Sequence, residues 1–79
     1  MQTTKEILGI QVKHINELLR ELGVDMDLSV EYAYGQPRLA ADKGSRIISY
    51  RQSKTELDKT LYAVKNILYE IDRVKRTNK

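Results

Sequence analysis

The chain has 79 residues, of which 41% are hydrophobic and 32% charged, and it contains no cysteine. That length allows one domain with one core, over 1–79, the apolar content is too high for intrinsic disorder, and neither a disulfide nor a thiolate metal site can be built. The formal charge of +3 is unevenly placed, with −3 over residues 1–37, +4 over 38–54, −2 over 55–72 and +4 over 73–79, which describes two basic patches on an acidic background rather than a basic protein.

A core of this size is marginal, so long helices or self-association are expected to supply stability. No apolar run approaches the ~20 residues that span a bilayer, and the N-terminus lacks the basic start and apolar stretch of a signal peptide. A cytoplasmic location without membrane association is therefore expected.

Thr3 followed by Glu6 reads as a capping box that opens a helix over about 3–22. Leu8, Val12, Ile15, Leu19 and Leu22 recur at spacings of four and three and form one stripe, which Ile7 and Leu18 widen. Gly23 ends the helix because glycine takes up left-handed backbone, and Gly9 inside it costs about 1 kcal/mol relative to alanine. The period then changes to two. Leu28, Val30, Tyr32 and Tyr34 alternate with Ser29, Glu31 and Ala33, which predicts a strand over about 27–34. Gly35, Gln36 and Pro37 read as its break, 38–41 as a return strand, 42–45 as a second turn and 46–50 as a third strand. Adjacent Ile47 and Ile48 place one side chain on each sheet face, so the face away from the helices keeps an apolar residue.

Ser53 and Glu56 form a second capping box, and Leu57, Leu61, Val64, Leu68 and Ile71 repeat the first helix's spacing over about 53–76. Thr60, Ala63, Ile67 and Val74 broaden that apolar face, enough to touch both the sheet and the first helix. The order helix, three strands, helix predicts an α+β domain of two layers, α-β-β-β-α, with both helices packed on one face of a small antiparallel sheet.

Little in the chain announces chemistry. His14 is the single histidine, and there is no glycine-rich phosphate loop, paired-histidine motif or nucleophile elbow, so no enzymatic activity, cofactor or metal is expected. His14 reads as a half-buried packing residue near Ile10 and Leu18, and Asp25 and Asp27 as solvated turn acids that lack the further oxygens of a calcium loop. All five aromatics are tyrosines. Tyr62, Lys65, Tyr69, Arg73 and Arg76 recur along one edge of the second helix, where interleaved rings and cations suit a partner surface, and Ile47 and Ile48 offer another. Arg38, Arg46, Arg51 and Lys54 make up the central patch. Arg51 and Lys54 beside Ser53 at a helix start could hold a phosphate, or the arginines could blunt strand edges. The terminal cations complement the dipole of the second helix.

Two resemblances follow from these residues. The element order is similar to that of the double-stranded-RNA-binding domain. Gly35, Gln36, Pro37 and Arg38 sit where that family has a glycine–proline loop, and Ser53, Lys54 and Lys59 near its basic helix start. The loop histidine is missing, and Thr55 and Glu56 stand where that family carries further positive charge. The resemblance implies contacts to duplex phosphates. Tyr34, Gly35, Arg38 and Leu39, followed by Ser49, Arg51, Ser53, Lys54, Glu56 and Leu57, resemble small bacteriophage- and prophage-encoded proteins of gut bacteria, with Gln36 and Pro37 departing from their turn. That resemblance implies a phage or mobile-element origin and carries no activity or site. The expectation is a non-enzymatic interaction protein that binds a protein partner or a second copy of itself, with nucleic-acid binding as the alternative.

Overall fold

Thr4 opens the first helix: its Oγ1 accepts from the Ile7 amide at 3.2 Å, and α1 runs over Lys5–Glu21. The cap therefore sits one residue later than expected, and Thr3 lies outside residues 4–77, which the computed structural model describes. At the other end the Gly23 amide donates to Arg20 and the Val24 amide to Leu19, with Gly23 at φ 76°. These paired bonds close the last turn as the glycine leads one to expect.

Strand β1 spans Leu28–Ala33 and β2 spans Gln36–Ala41, joined by Tyr34 and Gly35 alone. Both turn residues have positive φ, 54° and 74°, the backbone that matches the twist of two paired strands. The hairpin is thus tighter than the sequence suggests, and Gln36 and Pro37 belong to β2 rather than to the break. Pro37 is tolerated because its carbonyl faces away from β1, where it accepts from the Gln52 amide, so its nitrogen, which has no hydrogen to give, also faces away from that ladder.

The third strand is the largest departure. Strand β3 is only Arg46–Ile47, paired with Ala41 and Ala40, instead of the expected 46–50. Immediately after it the amides of Ile48 and Ser49 both donate to the Leu39 carbonyl, two residues against one, and the Ser49 hydroxyl accepts from the Leu39 amide at 2.9 Å. This bulge ends the ladder, and the Ser49 side chain takes the place of the missing backbone acceptor.

Ser53 Oγ accepts from the Glu56 amide at 3.1 Å and donates to the Glu56 carboxylate at 2.9 Å, capping α2, which spans Lys54–Thr77. Contacts between the helices climb both together: Gln11 with Asp58 and Lys65, His14 with Tyr69, Leu22 with Lys75. The helices are therefore parallel, as three antiparallel strands between them require. The antiparallel sheet has the order β1-β2-β3, with α1 over β1, α2 over β2, and neither helix over β3. Leu8, Ile15, Leu19, Leu28, Leu39, Leu57 and Leu61 form the core between the layers, so the expected two-layer α+β fold is the one observed. Lys5 lies 4.5 Å from the centre of the Tyr32 ring, and burial pushes the Tyr32 phenol above its ordinary range.

Candidate functional site

The four cations of the central patch do not share a site. Arg38 lies across the ladder from Glu31 and donates to its carboxylate from Nε and Nη2 at 2.9 and 2.8 Å. Arg46, at the opposite end of β2, pairs with Asp42 at 2.5 Å. Arg51 donates to the Gln36 carbonyl at 3.2 Å and stands with Lys54 at the hairpin end, without a carboxylate partner among the described residues. Tyr34 and Tyr50 project there almost fully, at 97% and 92% exposure. The start of α2 is already closed by Ser53 and Glu56, whose carboxylate occupies the place a phosphate would take.

The Tyr62, Lys65, Tyr69 edge forms a seam between the helices. Lys65 Nζ donates to Gln11 Oε1 at 3.1 Å and sits 5.3 Å from the Tyr62 ring centre, while Gln11 Nε2 donates to Asp58. Tyr69 Oη is 3.0 Å from His14 Nε2, with the two rings edge to face. His14 is exposed rather than half-buried, since the facing tyrosine gives it a polar partner at the surface. Arg73 pairs with Glu70 at 2.7 Å and Arg76 with Asp72 at 3.0 Å, and the Lys75 ammonium donates to the Leu22 carbonyl. Arg73, Lys75 and Arg76 thus each have a partner within the described residues.

Ile47 and Ile48 are both half exposed, 50% each. Ile47 pairs with Ala40 on the face away from the helices, and Ile48 gains no cover on the other face because α2 does not reach β3. One isoleucine thus lies on each face, and both stay half exposed because no helix covers β3.

The exposed apolar surface that the sequence did not mark out as separate lies on α2. At 100° per residue, Leu57, Leu61 and Leu68 point to the core, and Asp58, Lys65 and Tyr69 to α1. Ile67, Ile71 and Val74 fall on the flank opposite α1, and they are 59%, 43% and 46% exposed. With Asn66, Glu70 and Lys75 they line a shallow groove of about 440 Å³. Ile71 was expected in the core stripe, with Ile67 and Val74 broadening it enough to touch the sheet and α1. The sheet is too short for that: six-residue strands cover about 20 Å, and α2 is about 36 Å long.

No group of three or more histidine, aspartate or glutamate side chains among the described residues could hold a metal ion. None of their helices is long and apolar enough to cross a membrane. Compared with family models, curated proteins and solved structures, the chain matches none. The order helix, three strands, helix is present, with a two-residue turn between β1 and β2 and a two-residue β3.

Proposed function

We propose that the protein is a non-enzymatic interaction module that binds a polypeptide surface through the flank of α2 carrying Ile67, Ile71 and Val74. The observation that carries this reading is the contiguity of those three side chains: a helix flank with three large aliphatics in a row remains open to water in a chain whose core has little apolar area in reserve. Isolated exposed leucines or isoleucines need no explanation, but a straight stripe rimmed by Asn66, Glu70 and Lys75 has the apolar centre and polar border of an interface.

A specific observation favours the second reading. Arg51 and Lys54, without carboxylate partners among the described residues, share the hairpin end with the projecting rings of Tyr34 and Tyr50, the combination that stacks on bases and attracts phosphates. One pair of measurements separates the two. Fluorescence anisotropy with duplex and single-stranded RNA and DNA at about 50 and about 200 mM salt should show no saturable binding. A photo-crosslinking residue at position 71 should capture polypeptide in extracts of the producing cells, whereas the same residue at Lys13 should not. Salt-sensitive binding that is abolished by Arg51→Glu with Lys54→Glu would instead establish the nucleic-acid reading.

A further inference from the structure

We infer that the free edge of β1 takes up an extended peptide as a fourth, antiparallel strand, with an acidic side chain of that peptide beside Lys5 and an apolar one beside Gly9. This edge lies on the opposite side of the molecule from the exposed flank of α2, and the inference stands apart from the reading of that flank.

In an antiparallel ladder, two opposed residues either exchange both backbone hydrogen bonds or both turn away from each other. Pro37 and Leu39 of β2 turn away from β1, since their carbonyls accept from the Gln52 and Ile48 amides. Their partners Tyr32 and Val30 therefore turn the other way and hold their amides and carbonyls out at the free edge. Leu28 has the same phase, and Asn16 satisfies both of its backbone groups. Among the described residues, no donor or acceptor reaches the backbone of Val30 or Tyr32. Two residues that each offer a donor and an acceptor, about 7 Å apart along an edge, are matched by another extended backbone.

Helix α1 walls this edge on the core side. Asn16 marks one end of the wall at Leu28, and Lys5 marks the other, its ammonium 4.5 Å from the centre of the Tyr32 ring. At 100° per residue, Lys5 and Gly9 point within about 20° of Asn16, whereas Lys13, Glu6 and Glu17 lie about 60–100° round toward solvent. The wall thus holds one charge, Lys5, which has no carboxylate partner among the described residues. A Cβ at Gly9 would meet nothing within 4 Å, so the fold itself has no need of a glycine there. Gly9 falls between Lys5 and Asn16 as Val30 falls between Tyr32 and Leu28, so the hollow it leaves opens beside Val30. An apolar side chain of the added strand opposite Val30 enters that hollow, and an acid opposite Tyr32 meets Lys5.

A second copy of the chain does not fit. Two β1 edges related by a two-fold axis pair about Val30, Glu31 or Tyr32. About Glu31 the two Glu31 side chains stand opposite each other, and about Tyr32 the two Lys5 ammoniums meet; like charges so placed are destabilising. About Val30, Tyr32 comes opposite Leu28, whose backbone groups are already held by Asn16. A foreign strand with an acid, a hydroxyl and an aliphatic residue in turn against Tyr32, Glu31 and Val30 meets none of these conflicts.

The test is a titration of the isotope-labelled full chain with the end-blocked peptide Thr-Thr-Glu-Thr-Val-Thr, followed by nuclear magnetic resonance. The Val30 and Tyr32 amide signals should move downfield and saturate with a Kd between about 0.1 and about 1 mM, as suits a contact of this size. The same peptide N-methylated at its glutamate and valine should not bind, because those two amides face β1. Gly9→Leu should abolish binding without lowering Tm, since leucine favours the helix. Lys5→Glu should weaken binding at least tenfold and should reverse the preference, toward the peptide with lysine in place of glutamate. Ile71→Lys should change nothing, so failure here and failure of the reading of the α2 flank are separate results. Unmoved Val30 and Tyr32 signals at about 5 mM peptide, far above that range, overturn the inference. Equal binding of the N-methylated peptide, or by Gly9→Leu, also overturns it. So does a two-chain mass without peptide in which these two amides are protected, which would make the occupant a second copy.

Discussion

Asn16 ties the two layers together with a single side chain. Its amide nitrogen donates to the Leu28 carbonyl at 3.0 Å and its oxygen accepts from the Leu28 amide at 2.8 Å, so it treats the free edge of β1 as a neighbouring strand would. Asn16→Ala leaves both backbone groups without a partner in a half-buried place and should cost about 1–3 kcal/mol, a fall in Tm of several degrees for a chain of this size, read by thermal unfolding. Asn16→Asp retains the acceptor but turns an oxygen toward the Leu28 carbonyl, and should be at least as damaging. This contact was not legible in the sequence. Asn16 sits beside the apolar stripe of α1 with nothing local to mark it, and its partner is twelve residues away in another layer. The buried leucines and Ile15 were legible, because their stripes follow from spacing on one element alone, whereas the exposure of Ile71 depends on the reach of the sheet. Thr4 shows how fine the limit is: two adjacent threonines compete for one cap, and the choice depends on where the helix is pinned by its packing.

At the scale of elements, the helices, β1 and β2 were readable to within a residue or two, and β3, three residues shorter than expected, was not. Helix ends carry their own signals, and Ser53, Glu56 and Gly23 act as their types predict. Proline misleads in β2 because its ban from ladders applies only on the side where the nitrogen points, and the sequence does not show which side that is. The end of β3 depends on a bulge opposite Leu39, a relation between two strands that no single segment encodes. The hairpin offers a prediction of its own. Tyr34 occupies a left-handed position, φ 54°, with its side chain almost fully exposed, so it meets the backbone strain with little burial in return. Asparagine accepts that backbone readily, and Tyr34→Asn should stabilise the protein by about 0.5–1 kcal/mol in urea titration without changing its fold.

For the whole molecule, the mismatch between helix length and sheet size matters most. The radius of gyration is 13.2 Å, above the ~12 Å of a compact chain this long, and the principal extents are 47 × 31 × 18 Å. Part of α2 therefore projects past the body, with Leu68 the only buried side chain after Leu61 among its described residues. The stripe of Ile67, Ile71 and Val74 was visible in the sequence as apolar helix positions, but its role depends on the reach of the sheet, which the shortened β3 decides. Amide exchange should read this directly. Residues 70–77 should exchange rapidly, while the Leu57 to Leu61 turn should be protected at least tenfold more strongly.

Because three strands separate the two helices, α1 and α2 point the same way, and their peptide dipoles add rather than cancel. One pole of the molecule collects two helix N-termini with Lys5, Arg51 and Lys54 nearby, and the other collects two C-termini. Lys75, rooted in α2, donates to the carbonyl of Leu22 at the C-cap of α1, so its charge counters the field of two helices rather than one. A lysine that reads as part of a basic tail in one dimension is, in three, a clasp between the ends of the two helices.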